Sequence, residues 1–155
     1  MEPAAIQDSY PDEFAHCYGC GRLNLHGLHI RSFVEGAEAV ATVTPRAEHV
    51  AVPGFVYGGL IASVLDCHMI AAAAAAAQAA GGGPMRRFVT ANLKVDFLKP
   101  TPIGTALALR ARSTAVFPRK VSVTGELAAG GTTCARGELL AVELPASMAG
   151  HGRAP

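Results

Sequence analysis

"YGGLIASVLDCHMIAAAAAAA", residues 57–77, opens with two glycines and continues as a long apolar run that carries one carboxylate, Asp66. Ala71 to Ala77 are consecutive alanines, the strongest intrinsic helix formers, and "GGGP" from Gly81 to Pro84 ends the helix they predict. No second stretch promises a long helix. The run 60–80 has the length of a membrane span, yet Asp66, His68 and Gln78 break its polarity and alanine is only weakly apolar, so no membrane association is expected. Alanine offers little bulk, which lets a sheet curl closely around such a helix or a second helix approach it.

Outward from the helix the period changes to two. "LHIRSFVEGAEAVATVTP" predicts two short strands turning at Glu35 and Gly36. After the helix, Val89, Ala91, Leu93, Val95 and Phe97 alternate with Thr90, Asn92, Lys94 and Asp96, the clearest strand, with Thr90 on its polar face. Further strands follow around Leu107 to Ala111, around Val121 to Leu127, and from about Thr132 to Leu144, joined by short turns. Runs of strands beside one helix predict an α+β fold with an antiparallel sheet. Residues 1–155 are expected to form a single domain, with an N-terminal loop region over 1–25 and a flexible tail over 145–155.

Half of the residues are apolar, 16% are charged, and the net charge is +1. No basic stripe is available to neutralise phosphates, so nucleic acid is not an expected partner. The acidic, proline-punctuated start lacks the pattern of a secretory signal, and the expected location is the cytoplasm. Cys17, Cys20, Cys67 and Cys134 then read as reduced thiols. In "HCYGCGRLNLHGLHI" a CxxC lies near His16, His26 and His29, but no second ligand pair follows at motif spacing. No metal is expected, and the stretch reads as a glycine-rich loop leading into a strand.

These residues resemble the hotdog-fold acyl-CoA thioesterases of the 4-hydroxybenzoyl-CoA thioesterase superfamily, in the branch that includes phenylacetyl-CoA thioesterases. The likeness covers most of the chain. Members carry a CxxCG stretch followed by Asn and Gly-Leu, matched by Cys17, Cys20, Gly21, Asn24, Gly27 and Leu28. They then have PG, two residues and HGG, with an Asp nine residues after the His; "PGFVYGGLIASVLD" matches through Pro53, Gly54, Gly58, Gly59 and Asp66. A following strand like "TANLKVDFLKPTPIG" carries a Thr, here Thr90. Tyr57 stands where the family has His. A tyrosine hydroxyl donates and accepts hydrogen bonds but, with a pKa of about 10, is a poor base near neutrality.

The resemblance implies a curved antiparallel sheet of five to six strands around one central helix, and hydrolysis of an acyl-CoA thioester to acid and CoA. Asp66 would be nucleophile or general base, the Gly58 N–H the oxyanion donor, and Tyr57 and Thr90 further catalytic positions. Glycines at a helix start leave free N–H groups at the positive end of the helix dipole, which suits an oxyanion. Gly58 and Asp66 lie about 12 Å apart along one helix, too far for one carbonyl to touch both. Two antiparallel copies would each supply half a site, so a homodimer is expected, with a homotetramer by pairing of dimers as a further form. His68, about 200° round the helix from Asp66, reads as a packed histidine.

Gly59 and His49 are candidates for lining the substrate site, and Arg86, Arg87, Arg119 and Lys120 for a basic rim facing CoA phosphates. CoA enters only as part of the substrate, and no separate cofactor is expected. Two other classes fit less of the sequence: a non-catalytic acyl-CoA binding protein, suggested by Tyr57, and an acyl-thioester hydratase or dehydratase, whose acid and base pair is not found in register.

Overall fold

The computed structural model describes residues 2–151. The expected hairpin forms from β1 (Phe33–Glu35) and β2 (Glu38–Val43), followed by α1 (Gly58–Gly81), β3 (Phe88–Phe97), β4 (Leu107–Phe117), β5 (Lys120–Ala129) and β6 (Thr132–Glu143). Every pairing is antiparallel, in one six-stranded sheet ordered β1-β2-β4-β5-β6-β3. The sheet wraps α1, which packs on β2 through β6. This is the hotdog architecture.

Alternation on the strands builds one side of the core: Leu107, Leu109 and Ala111 of β4 and Val121, Val123 and Leu127 of β5 all point inward. Val64, Leu65, Met69 and Ala71 to Ala74 of α1 meet them. Full burial of each large aliphatic side chain contributes about 1.5–3 kcal/mol. The closest approach is at Met69, where Gly125 and Gly137, directly paired across β5 and β6, leave room; a Cβ on Gly137 would come within 2.6 Å of the methionine methyl. Helix α1 has the length and composition of a membrane span, but 67% of its most apolar window is buried inside the molecule.

Two expectations need correction. Residues 1–25 are more than a loop: Ile6–Ser9 and Asp12–Phe14 form 3-10 turns, and Ile6, Tyr10, Ala15 and Cys20 are buried. At the other end Ala146–Met148 is a 3-10 turn, and residues 152–155 of the expected tail lie outside the described residues.

The second correction concerns β3, which does not alternate strictly. Its register with β6 shifts between Thr90 and Asn92, leaving Ala91 as the extra residue of a bulge. A bulge flips the parity of a strand. Phe88 and Thr90 before it share the helix side with Leu93 and Val95 after it, so Thr90, though exposed, reaches Asp66 of α1.

Candidate active site

Tyr57 is the N-cap of α1, in extended conformation, and its carbonyl accepts the N–H groups of Leu60 and Ile61 at 3.0 and 3.3 Å. The N–H groups of Gly58 and Gly59 find no acceptor among the described residues. They stand at the positive end of a 24-residue helix, a ready place for a developing oxyanion. Two neighbours shape this end. The Phe97 ring lies against Gly58, and the Tyr57 ring folds back over Gly59, where a Cβ would come within 2.3 Å of it. Tyr57 itself is 59% exposed. His49 helps fix the approach: its carbonyl accepts the Tyr57 N–H at 2.8 Å, and its Nδ1 accepts the Arg46 N–H at 3.0 Å.

Two turns further on, Asp66 is half-buried and Thr90 Oγ1 donates to its Oδ1 at 2.5 Å. No other hydrogen bond reaches Asp66 from the described residues, so Oδ2 is left for a ligand or water. Burial raises the carboxyl pKa above its ordinary value, the Thr90 hydroxyl opposes that rise, and negative charge on Cys17 adds to it. The contact between Asp66 and Thr90 depends on the bulge in β3. Strict alternation in the sequence pointed Thr90 away.

His68, two residues on, is fully buried and saturated: Nε2 donates to the Ala39 carbonyl at 3.1 Å and Nδ1 accepts from the Ser32 hydroxyl at 2.9 Å. Gln7 completes the chain, donating to Ser32 Oγ and accepting the Ser32 N–H. Burial depresses the histidine pKa to about 4, so it is neutral at pH 7 and has no free valence for catalysis.

The four basic candidates separate. Arg86, Arg119 and Lys120 gather where β3 begins beside the turn between β4 and β5; Arg86 and Arg119 share Glu143, and Lys120 lies over Phe117. Arg87 goes to the other side and stacks on Tyr10, 4.6 Å from the ring centroid. Adjacent residues of an extended segment point to opposite faces, which divides the pair.

Sequence reasoning missed Cys67. Its sulfur lies 3.7 Å from that of Cys17, and the sulfurs of Cys17, Cys20 and Cys67 are all within 4.8 Å of one another. S–H groups of Cys20 and Cys67 directed at Cys17 make it the most acidic of the three and push Cys20 up to about 11. A signal was present: Gly19, with no side chain, leaves the CxxC loop able to close over a third group.

Residues 53–135 match the thioesterase superfamily. Among functionally curated proteins no sequence matches the chain. Among solved structures, a thioesterase superfamily protein from Shewanella loihica PV-4 is 42% identical over 88% of this chain and 100% of its own, with a TM-score of 0.69. The E. coli PaaI protein from the phenylacetic acid degradation operon is 19% identical, over 76% of this chain and 81% of its own, TM-score 0.65. A Streptococcus mutans UA159 protein bound to acetyl CoA is 15% identical, over 74% and 88%, TM-score 0.62. At these lower identities the likeness is one of fold. The chain belongs to the thioesterase superfamily, and that membership supports a thioester hydrolase in general terms.

Proposed function

We propose that this chain hydrolyses an acyl-CoA thioester to the free acid and CoA, with Asp66 as the catalytic carboxylate and the Gly58 N–H as oxyanion donor. The observation that carries this reading is the half-buried Asp66, fixed through one oxygen by Thr90 and free at the other. A carboxylate held above its ordinary pKa is a better base, and in the proposed route it takes a proton from water. Water then adds to the thioester carbon, the carbonyl oxygen becomes an oxyanion at the helix start, and the carbon–sulfur bond breaks as CoA leaves with a proton. In the nucleophilic alternative Asp66 itself would form an anhydride. A single turnover in ¹⁸O-labelled water separates the two: the base route puts label in the acid, the anhydride route can leave it in Asp66.

Because Gly58 and Asp66 stand about 12 Å apart, the reading requires a second copy. Two features support one. Strand β3 is a sheet edge, paired among the described residues only with β6, and Phe55, Tyr57, Phe97 and Leu98 are exposed. Arg86, Arg119 and Lys120 then offer a basic group for CoA phosphates, with His49 and Gly59 near the acyl end. The test is thiol release from a panel of acyl-CoAs. Wild type should turn over at least one member and Asp66→Asn far more slowly, while both bind it. Binding without turnover in wild type would instead favour an acyl-CoA binding protein.

A further inference from the structure

Three sulfurs lie together beside the site. We propose that Cys17, Cys20 and Cys67 form a binding site for one thiophilic divalent ion of the zinc type, with three thiolate ligands and a fourth position facing the cleft that Cys17 lines.

The spacing of the sulfurs fits such an ion. Two thiolates about 2.3 Å from one tetrahedral ion stand about 3.8 Å apart. Cys17 and Cys67 already sit at 3.7 Å, and the third sulfur is within 4.8 Å of both. A disulfide needs about 2.05 Å, so the cluster is closer to a ligand face than to a bond.

The loop is built around the cluster. Gly19 lets it close over the helix, since a Cβ there would lie 2.2 Å from the Cys67 sulfur. Gly21 donates to the Cys17 carbonyl at 2.8 Å, and Asn24 ties the loop through the His16 carbonyl and the His26 N–H. The residues that looked like a family motif are thus the frame of the thiol cluster.

Charge points the same way. Three thiolates on a dication leave one net negative charge, costly in a buried place unless paired. Arg87 Nη1 and Tyr10 Oη are both buried with no hydrogen-bond partner among the described residues. Both lie in electrostatic range of the cluster, Arg87 of Cys20 and Tyr10 of Cys20 and Cys67. A buried cation stacked on a tyrosine beside three sulfurs is what an anionic metal–thiolate centre lacks.

The open position follows from Cys17, which is half-buried and lines a cleft of about 660 Å³ with His16, Arg87 and Val89. On binding, each coordinating S–H releases its proton to solvent and no electron moves. The expectation of no metal rested on the lack of a second ligand pair in the sequence; α1 supplies one further ligand from 47 residues beyond Cys20.

The test is a titration of the reduced full chain with Co²⁺ and then Zn²⁺, read by absorption. Expected are a thiolate-to-cobalt charge-transfer band and intense tetrahedral ligand-field bands that saturate at one equivalent and vanish when Zn²⁺ is added. Cys17→Ser and Cys67→Ser should weaken binding by more than the ~10–100-fold that an outer-shell loss costs, and Arg87→Met by about that amount. Cys134→Ser, a distant buried cysteine, should bind as wild type does. Absence of the charge-transfer band in wild type overturns the proposal, as does binding unchanged in Cys67→Ser. So does oxidation of Cys17 to a disulfide in a sample that takes up no metal.

Discussion

Asp66 and His68 stand two residues apart on one helix and live in opposite worlds. The histidine faces the sheet with both ring nitrogens satisfied, and burial has driven it to the neutral form. The carboxylate faces away from the core with one oxygen held and the other unclaimed. The core side of α1 shows what a polar group looks like when the fold has used all of it. The open side shows the reverse, with unused groups at Asp66 and at the Gly58 and Gly59 N–H groups. Saturation separates structure from function better than residue type does, since histidine is on general grounds the more usual catalytic base.

The comparison is broken most severely at Asp66. Asp66→Asn should lower kcat by about 10²–10⁴-fold, the usual worth of a general base, while thermal unfolding moves little because the amide keeps the shape and the Thr90 contact. Thiol-release kinetics beside a melting curve check both halves. At His68 the opposite pattern is expected. Its folded pKa of about 4 lies below the ordinary 6.5, so the unfolded chain binds the proton first as pH falls. Stability from this group is complete above about pH 6.5 and is lost towards pH 4, in total about 3 kcal/mol. Urea unfolding from pH 7 to pH 4 measures it, and a His68→Gln chain should show a flatter profile.

Thr90 sharpens the contrast by a smaller amount. As a positioning residue, its loss in Thr90→Val should reduce kcat about tenfold, in line with a hydrogen bond to a charged group, with KM little changed. Removing a donor that lowers the Asp66 pKa should also shift the acid limb of the pH–rate profile to higher pH. Thr90→Ser should restore both. A fall in stability with an unmoved profile would mean that Thr90 only packs.

The sequence made the helix and the strands legible because both depend on local rules, alanine propensity with its glycine stop on one side and period-two alternation on the other. The match to Pro53, Gly54, Gly58, Gly59 and Asp66 located the helix start and the acid. What stayed hidden depended on departures from those rules or on contacts across the fold. A single extra residue at Ala91 reversed the face of Thr90. Arg86 and Arg87 look equivalent as neighbours but enter a strand, where neighbours part. Cys67 lay inside an apolar run, and only the path of the N-terminal segment across α1 brings Cys17 and Cys20 to it.

The central claim is that the open face of α1 is half of a site completed by a second copy, and mixing two damaged chains tests it most directly. Asp66→Asn would remove the proposed base and Gly58→Pro the proposed oxyanion donor, and proline is tolerated at a first helical position after an extended residue such as Tyr57. Each variant alone should be impaired, Gly58→Pro by about 10²–10³-fold. After subunit exchange at equal ratio, half of the dimers are mixed and each of those has one site with both lesions and one with none. The account predicts recovery to about a quarter of wild-type turnover, the share of intact sites in a shared two-fold assembly. A mixture that stays as slow as its parents after exchange is verified, or a wild-type chain that is active as a monomer, would contradict it.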